Sequence, residues 1–473
     1  MKKNRIFSFL LAIFMLGCCA LPVLGVEGSD VASSHGLHAT QPLAGSEQLL
    51  DTAKAVIAYE LNTETMLYAW NPDQRIDPSG IVKILTALLV LEKGNMQDMV
   101  TVYRKTLDTI EWGSVSAGLI AGEEVLLRDL LLCVMVASAN DAAAVLAAHI
   151  AGDQKTFVEM MNEKAEQLGC KNSHFTNVHG LPDAQQYSTA RDLAIITAAA
   201  LENETFAEMF ALDNFSMPAT NLSPGRYFVT TNYMMSEEYV SQYFDSRVTG
   251  GKPAAASSED RSMVCTAEVG NSRYLLVVMS ADSLVSENGL SVISFGNFVE
   301  TKKLMNFAFN GFTVRQVLGK SQALCQYAVK NGSNDVVLCP EEDVWVLLPA
   351  EYNKDLVQQH NIVEASALQA PISVSDSLGV LQIRYGNLIL ANCDLLAMNP
   401  VEKRIDALES AERIPVELGN NAHKWEKLLP VLGVVAIGLA LVAVVVLLIV
   451  KLLRNLRIRR QMSYRIRKRK RGR

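Results

Sequence analysis

The chain has 473 residues, 49% of them hydrophobic and 20% charged, and its net charge is −7. It contains enough apolar sequence for a sizeable core and is too long for one ordinary domain, so we expect two or more domains. Three basic residues lie within the first five positions and twelve follow residue 450, which leaves a net charge of −22 on the chain between them. Such an acidic body argues against nucleic acid as its partner.

The N-terminus has the layout of a secretory signal peptide over residues 1–25. Basic residues precede the apolar run Ile6–Met15, and small residues continue to Gly25. The run is too short for a membrane anchor. A lipoprotein site at Met15–Cys18 is an alternative, although Leu16 is large for such a site. Residues 26–46 are small and polar without periodicity, and they predict a flexible linker.

A first domain is predicted over residues 47–309. Ala55–Tyr59 and Met66–Trp70 alternate as the strands of a hairpin. Apolar residues then recur at three- and four-residue spacing, which predicts helices at 81–93, 127–149, 154–168 and 190–212. Strand-like runs return at 262–269 and 273–281. This order predicts an α+β domain whose sheet is built from both ends of the segment.

A small all-β domain is predicted over residues 310–401. Short β-like runs occur at 312–319, 323–330, 335–339, 343–348, 378–384 and 387–396. Cys325 and Cys339 flank a hairpin-like segment, and they either pair or remain free thiols. The seven histidines are scattered along the chain, so we predict neither a metal site nor a cofactor.

A single membrane anchor is predicted near the C-terminus. After a linker at 402–427, residues 428–450 are almost wholly apolar and long enough to cross about 30 Å of hydrocarbon as a helix. Residues 451–473 are strongly basic and contain no acidic residue. By the positive-inside rule this tail is cytoplasmic and the bulk of the chain is extracytoplasmic. Contact of the tail with anionic lipid is favoured over contact with nucleic acid.

Several short segments carry a family resemblance. Ser138-Ala139-Asn140-Asp141 follows Asp129–Leu132, and Pro78 precedes Lys83–Ala87. These residues, with Asn177–Leu181 and Thr231-Asn232-Tyr233, resemble the D-alanyl-D-alanine carboxypeptidases, the low-molecular-weight penicillin-binding proteins, over roughly residues 50–400. That family combines Ser-x-x-Lys, Ser-x-Asn and Lys-Thr-Gly motifs. The resemblance implies a penicillin-binding/β-lactamase-like transpeptidase domain, with an antiparallel sheet flanked by helices, and peptidoglycan stem peptides as ligands.

The first motif lacks its nucleophile. The resemblance assigns catalytic roles to Lys83, Ser138 and Asn140, but the position three residues before the lysine is Gly80. Ser79 is a possible displaced nucleophile, because positions four apart share a helix face. It stands just before the helix, however, where a capping role is the ordinary explanation for a serine.

The third motif is also altered. We align Val248-Thr249-Gly250-Gly251 with it, so Val248 occupies the lysine position. Arg247 falls on the opposite face of the strand, whereas Lys252 has the right parity but lies beyond two glycines. The resemblance implies substrate binding by Gly80 and residues 248–251, with the backbone N–H groups of Gly80 and Gly251 as the oxyanion hole.

The sequence therefore predicts a family member of peptidoglycan metabolism that binds stem peptides and is catalytically impaired. Loss of a serine nucleophile costs about a million-fold in turnover. Without a cation at Val248, we also expect little preference for a free terminal carboxylate. The alternatives are an active carboxypeptidase that trims pentapeptides through an acyl-enzyme, and a sensor that signals to the basic tail.

Overall fold

A computed structural model describes Leu37 and residues 41–404, with the exception of 241 and 288–290. The predicted signal peptide, membrane helix and basic tail lie outside the described residues, as does most of the predicted N-terminal linker. Within the described part of the chain, no helix has the length and apolar character needed to span a membrane.

The first domain is α+β, as predicted. Its described strands are β1 (Ala55–Glu60), β2 (Thr65–Trp70), β3 (Met99–Thr101), β4 (Glu124–Leu126), β5 (Asn214–Met217), β6 (Arg226–Val229), β7 (Val248–Ala255), β8 (Asp260–Val269), β9 (Ser272–Asp282), β10 (Leu284–Val285) and β11 (Val292–Ser294). The main sheet has the order β2-β1-β9-β8-β7 and is antiparallel throughout. The early hairpin thus pairs with late strands, and β7 forms one edge.

Helices cover both faces of this sheet. They are α1 (Lys83–Lys93), α2 (Arg104–Leu107), α3 (Leu127–Met135), α4 (Asn140–Ala151), α5 (Gln154–Gln167), α6 (Ala190–Leu201), α7 (Glu204–Phe210), α8 (Glu237–Val240) and α9 (Gly296–Gly311). A short 3₁₀ turn, Ser79–Val82, leads into α1. Two predicted helices are each divided in the structure, the first of them at residues 136–139, where Ser138 has a φ of +61°. Helix α9 was not predicted.

The sheet separates two apolar clusters. In β1, Ile57 and Tyr59 pack with the helices that follow the first hairpin, while Val56 and Ala58 pack on the other side with α9. Successive side chains of a strand point to opposite faces. Because both faces are covered, all six residues of β1 are buried. The edge strand β7 is therefore held against a rigid sheet.

The second domain is all-β, as predicted. Its strands are β12 (Phe312–Leu318), β13 (Cys325–Tyr327), β14 (Val336–Pro340), β15 (Val344–Pro349), β16 (Val357–Val363), β17 (Ser377–Tyr385) and β18 (Leu388–Ala397). They form a sheet of order β13-β14-β18-β17-β16 and the pair β12-β15. Strand β16 is polar and mostly exposed, which explains why the apolar pattern did not reveal it.

The two cysteines left open by the sequence do not pair. Cys325 and Cys339 are both free thiols. Cys325 lies opposite Leu338 in the β13–β14 ladder. The side chain of the next residue on β14, Cys339, therefore points to the opposite face of the sheet.

Candidate active site

The first two motifs meet at a cavity of about 440 Å³ beside the edge strand. Gly80, Lys83, Ser138 and Asn140 all line it, so the structure brings the predicted residues of both motifs together. The remaining lining residues are Ser79, Gly113, Ser114, Val115, His179, Gly180, Leu181, Thr231, Tyr233, Pro253, Ala254, Ala255, Arg261, Phe295, Asn297 and Phe298.

Gly80 occupies the place from which a serine side chain would enter the cavity. A Cβ atom built on Gly80 lies 3.6 Å from Lys83 Nζ, 3.7 Å from Ser138 Oγ and 3.6 Å from Ala254 Cβ. These are ordinary contact distances, so the fold has room for a side chain at this position. The backbone thus keeps a nucleophile's position between the two motifs, while glycine supplies no reactive atom.

The backbone behind Gly80 is fixed by Gly180. This residue has a φ of +79°, and a Cβ atom on it would lie 2.0 Å from the carbonyl oxygen of Ser79. Both the left-handed conformation and the close approach require glycine. The close contact with Gly180 therefore fixes the position of the turn that contains residues 79 and 80.

Ser79 is turned away from a role as nucleophile. Its φ is +48°, and its hydroxyl donates to the carbonyl oxygen of Ala255 at 2.8 Å. The 3₁₀ turn that begins at Ser79 has no side-chain capping hydrogen bond, so the capping role expected from the sequence is wrong. The hydroxyl instead ties the turn to the edge strand.

Lys83 is the first residue of α1 and is 2% exposed. Its Nζ donates to the carbonyl oxygen of His179. Burial, together with the positive charge of Lys252, holds the pKa of Lys83 well below its usual value. Burial and the Lys83 charge also lower the pKa of His179 to about 4, so this imidazole is neutral at pH 7. A lysine with a lowered pKa is suited to accept a proton.

The second motif lies in the break between α3 and α4. Asn140 begins α4, and its backbone N–H donates to the carbonyl oxygen of Val115 at 2.8 Å. The carboxylate of Asp141 accepts from Ser116 Oγ at 2.6 Å and from the backbone N–H of Ala117 at 2.8 Å. Asp141 therefore organises the loop whose residues 113–115 line the cavity.

The third motif lies four residues later than the sequence alignment placed it. Val248, Thr249, Gly250 and Gly251 do not line the cavity, which β7 reaches only at Pro253, Ala254 and Ala255. A Cβ atom on Gly250 would instead contact Phe210 at 2.6 Å, and one on Gly251 would contact Asn232 at 2.6 Å. Those two glycines therefore serve close packing. The structure therefore does not place residues 248–251, including the N–H of Gly251, at the cavity, and the part of β7 that lines it is Pro253–Ala255.

With this register Lys252 takes the place of the motif lysine. Lys252 is fully buried, and its Nζ has no hydrogen-bond partner among the described residues. Burial lowers the pKa of Lys252 to about 7. The lysine predicted to be lost is therefore present, while Pro253 and Ala254 stand in place of threonine and glycine. Proline also removes one backbone N–H from the strand edge.

Sequence reasoning gave no role to several residues of the site. Arg261 on β8 and the aromatic side chains of Tyr233, Phe295 and Phe298 line the cavity. The segments containing 177–181 and 231–233 carried the family resemblance, which was the one available signal for His179, Thr231 and Tyr233. Among the described residues, no cluster of three or more His, Cys, Asp or Glu side chains is arranged to bind a metal ion.

The fold and the arrangement of the three motifs are those of a penicillin-binding serine-peptidase domain followed by a β domain. Residues 43–283 match the family model described as D-alanyl-D-alanine carboxypeptidase, and residues 312–403 match the C-terminal domain of penicillin-binding protein 5. The chain belongs to the D-alanyl-D-alanine carboxypeptidase family of peptidoglycan metabolism.

Individual relatives agree with this assignment. The D-alanyl-D-alanine carboxypeptidase DacF of Bacillus subtilis is 26% identical over 362 residues, which cover 76% of this chain and 88% of that protein. DacA of Haemophilus influenzae is 29% identical and covers 74% of this chain and 85% of its own length. The crystal structure of penicillin-binding protein 5 from Haemophilus influenzae superposes with a TM-score of 0.61 at 28% identity, covering 76% of this chain and all of that chain.

Proposed function

We propose that this protein is a catalytically impaired member of its family that binds peptidoglycan stem peptides without cleaving them. The observation that carries the proposal is Gly80, whose backbone lies beside Lys83 and Ser138 but presents no hydroxyl. Removing the nucleophile of a serine hydrolase costs about a million-fold in turnover, equivalent to about 8 kcal/mol of activation free energy. No rearrangement of surrounding polar groups restores a loss of that size.

Binding does not require the missing hydroxyl. The cavity retains Ser138, Asn140 and the backbone N–H of Gly80, together with the edge of β7 along which a peptide can extend as an added strand. Aromatic side chains at positions 233, 295 and 298 add apolar lining. These features support a peptide-sized ligand.

The alternative is an active carboxypeptidase that uses Ser79. Retention of Lys83 favours it, since its role as proton acceptor is needed only for chemistry. Against it stands the hydrogen bond from Ser79 Oγ to Ala255, which directs the hydroxyl toward the strand backbone.

The location of the protein is part of the proposal. We place the bulk of the chain at the outer face of the cell membrane, held by the apolar segment 428–450, with the basic tail in the cytoplasm. The support for this placement is the charge and hydropathy pattern of the sequence. A stem-peptide binder must face the wall, and the predicted topology meets that requirement.

The test uses the full-length protein purified in detergent and the peptide diacetyl-L-Lys-D-Ala-D-Ala. Calorimetry measures binding, and a coupled assay measures release of D-alanine from the same samples. We expect binding without release of D-alanine above the buffer control. Release that disappears in a Ser79→Ala variant establishes the active alternative, and absence of binding refutes a stem-peptide role.

A further inference from the structure

The lining of the cavity carries positive charge without compensation. Among the described residues that line it, Lys83 and Arg261 have basic side chains and none is acidic. Uncompensated positive charge in a cavity with apolar walls attracts an anionic ligand group. A stem peptide that ends in a free carboxylate provides such a group.

Of the basic side chains in or near the cavity in the described part of the chain, that of Arg261 is the one free to meet a ligand. The amine of Lys83 donates to the carbonyl oxygen of His179 and is almost fully buried. Lys252 is completely buried and does not line the cavity. A guanidinium, in contrast, remains charged in proteins and offers five N–H donors.

The orientation of Arg261 is fixed by its neighbours. The residue lies opposite Ala255 at the end of the β7–β8 ladder, so its strand places it beside the cavity. Its guanidinium carbon lies 4.4 Å from the ring centre of Phe295, and its Nε donates to the carbonyl oxygen of Ser258 at 3.3 Å. No carboxylate pairs with Arg261 among the described residues. Stacking restrains the plane of the guanidinium and leaves its terminal N–H groups available for a bidentate partner.

We propose that Arg261 binds the terminal carboxylate of the peptide ligand and thereby sets a preference for a free over a blocked C-terminus. The proposal rests on the stem-peptide binding proposed above. Because Val248 was aligned with the motif lysine, the sequence predicted little preference for a free terminal carboxylate. Arg261 reverses that expectation, because it supplies the cation from the neighbouring strand β8. Arg261 is thus a specificity-determining residue outside the three family motifs.

The experiment compares diacetyl-L-Lys-D-Ala-D-Ala with its C-terminal amide, using calorimetry on the full-length protein in detergent. Hydrogen bonds to a charged group contribute about 1.5–3 kcal/mol, so we expect the unmodified protein to prefer the free acid by roughly 10- to 100-fold. Arg261→Gln should lower affinity for the acid to that for the amide and leave the affinity for the amide unchanged. Arg261→Lys, which keeps the charge, should retain part of the preference.

A matched variant makes the assignment specific. Arg273→Gln removes a guanidinium near the other end of the β8–β9 hairpin, where residue 273 pairs with Glu268, and it should keep the preference for the acid. Lys252→Met removes the motif lysine and tests whether that buried amine, instead of Arg261, supplies the preference. Thermal unfolding of every variant checks that the fold is retained.

The outcomes separate the two proposals. Equal binding of acid and amide to the unmodified protein, or a preference that survives Arg261→Gln, overturns the role of Arg261 while stem-peptide binding stands. Loss of the preference in Lys252→Met with its retention in Arg261→Gln transfers the role to the motif lysine. Failure of both peptides to bind the unmodified protein refutes both proposals.

Discussion

Restoring a serine at position 80 should restore acylation by penicillin. A Cβ atom on Gly80 lies 3.6 Å from Lys83 Nζ and 3.7 Å from Ser138 Oγ. A hydroxyl oxygen extends about 1.4 Å beyond Cβ, so a rotamer pointing between these atoms brings Oγ within hydrogen-bond distance of about 2.6–3.2 Å. Burial lowers the pKa of Lys83, so its amine is suited to take the hydroxyl proton.

The size of the recovery follows from what the site still lacks. A nucleophile is worth about 10⁶-fold in rate, and loss of one oxyanion-hole donor costs about 10²- to 10³-fold. With Pro253 and Ala254 still in place of threonine and glycine, Gly80→Ser alone should raise the acylation rate by at least about 10³-fold. Adding Pro253→Thr and Ala254→Gly should raise it further.

The assay is the rate of covalent labelling by a fluorescent penicillin, with Gly80→Ala as the control that adds Cβ without oxygen. Gly80→Ala should not label. Adding Val248→Lys to Gly80→Ser should leave the rate unchanged, because residue 248 does not line the cavity. If the serine variant and the triple variant both melt like the unmodified protein and never label, the geometry assigned to Gly80 is refuted.

Three further predictions concern stability and topology. The unfolded chain keeps the Lys252 proton up to a pKa of about 10.4, whereas burial lowers the folded pKa to about 7. The free energy of unfolding should therefore rise with pH from about 7 to 10, by at most about 1.4 kcal/mol per pH unit from this group. In urea unfolding, Lys252→Met should make this slope shallower. An unchanged slope would show that Lys252 keeps an ordinary pKa. Gly180→Ala should destabilise the protein by more than about 2 kcal/mol, because it combines a positive φ with a backbone clash. The control is Gly270→Ala, where φ is +59° but no atom lies within 4 Å of the added Cβ, and it should destabilise the protein less. Protease added to intact protoplasts should digest the extracytoplasmic bulk and spare the anchor and tail, whereas protection of the large domain would show the opposite orientation.

The sequence predicted the architecture well where periodicity was strong. The hairpin at residues 55–70, the four helical segments between residues 81 and 212 and the closing strands were recognised from apolar spacing, whereas α9 was missed. The order of elements indicated a sheet made from both ends of the domain. Two helices were predicted too long. One is interrupted where Ser138 adopts a left-handed backbone conformation, and the other where the side chain of Asn203 caps α7. The exposed strand β16 carried too few apolar residues to be seen.

The prediction of the site was right within the first two motifs, where the residues are close in sequence. It was wrong for the third motif, where the register of strand β7 decides which residues face the cavity. Gly80, Lys83, Ser138 and Asn140 line one cavity, as the family resemblance implied. Thr249-Gly250 has the residue types of the expected motif, so the alignment was placed four residues too early. Only the position of strand β7 against the turn at Ser79–Val82 identifies Lys252-Pro253-Ala254 as the motif. Arg261 reaches the cavity through its pairing with Ala255, and no local pattern signals that pairing.

The central claim, that the protein lacks a working nucleophile, is tested most directly by intact-mass spectrometry of the full-length protein after incubation with penicillin and denaturation. Gly80→Ser serves as the positive control. We predict that the mass of the unmodified protein does not change, while the control gains the mass of one penicillin. A penicillin adduct on the unmodified protein, and above all one that disappears in Ser79→Ala, would contradict the claim and identify the protein as an active serine enzyme.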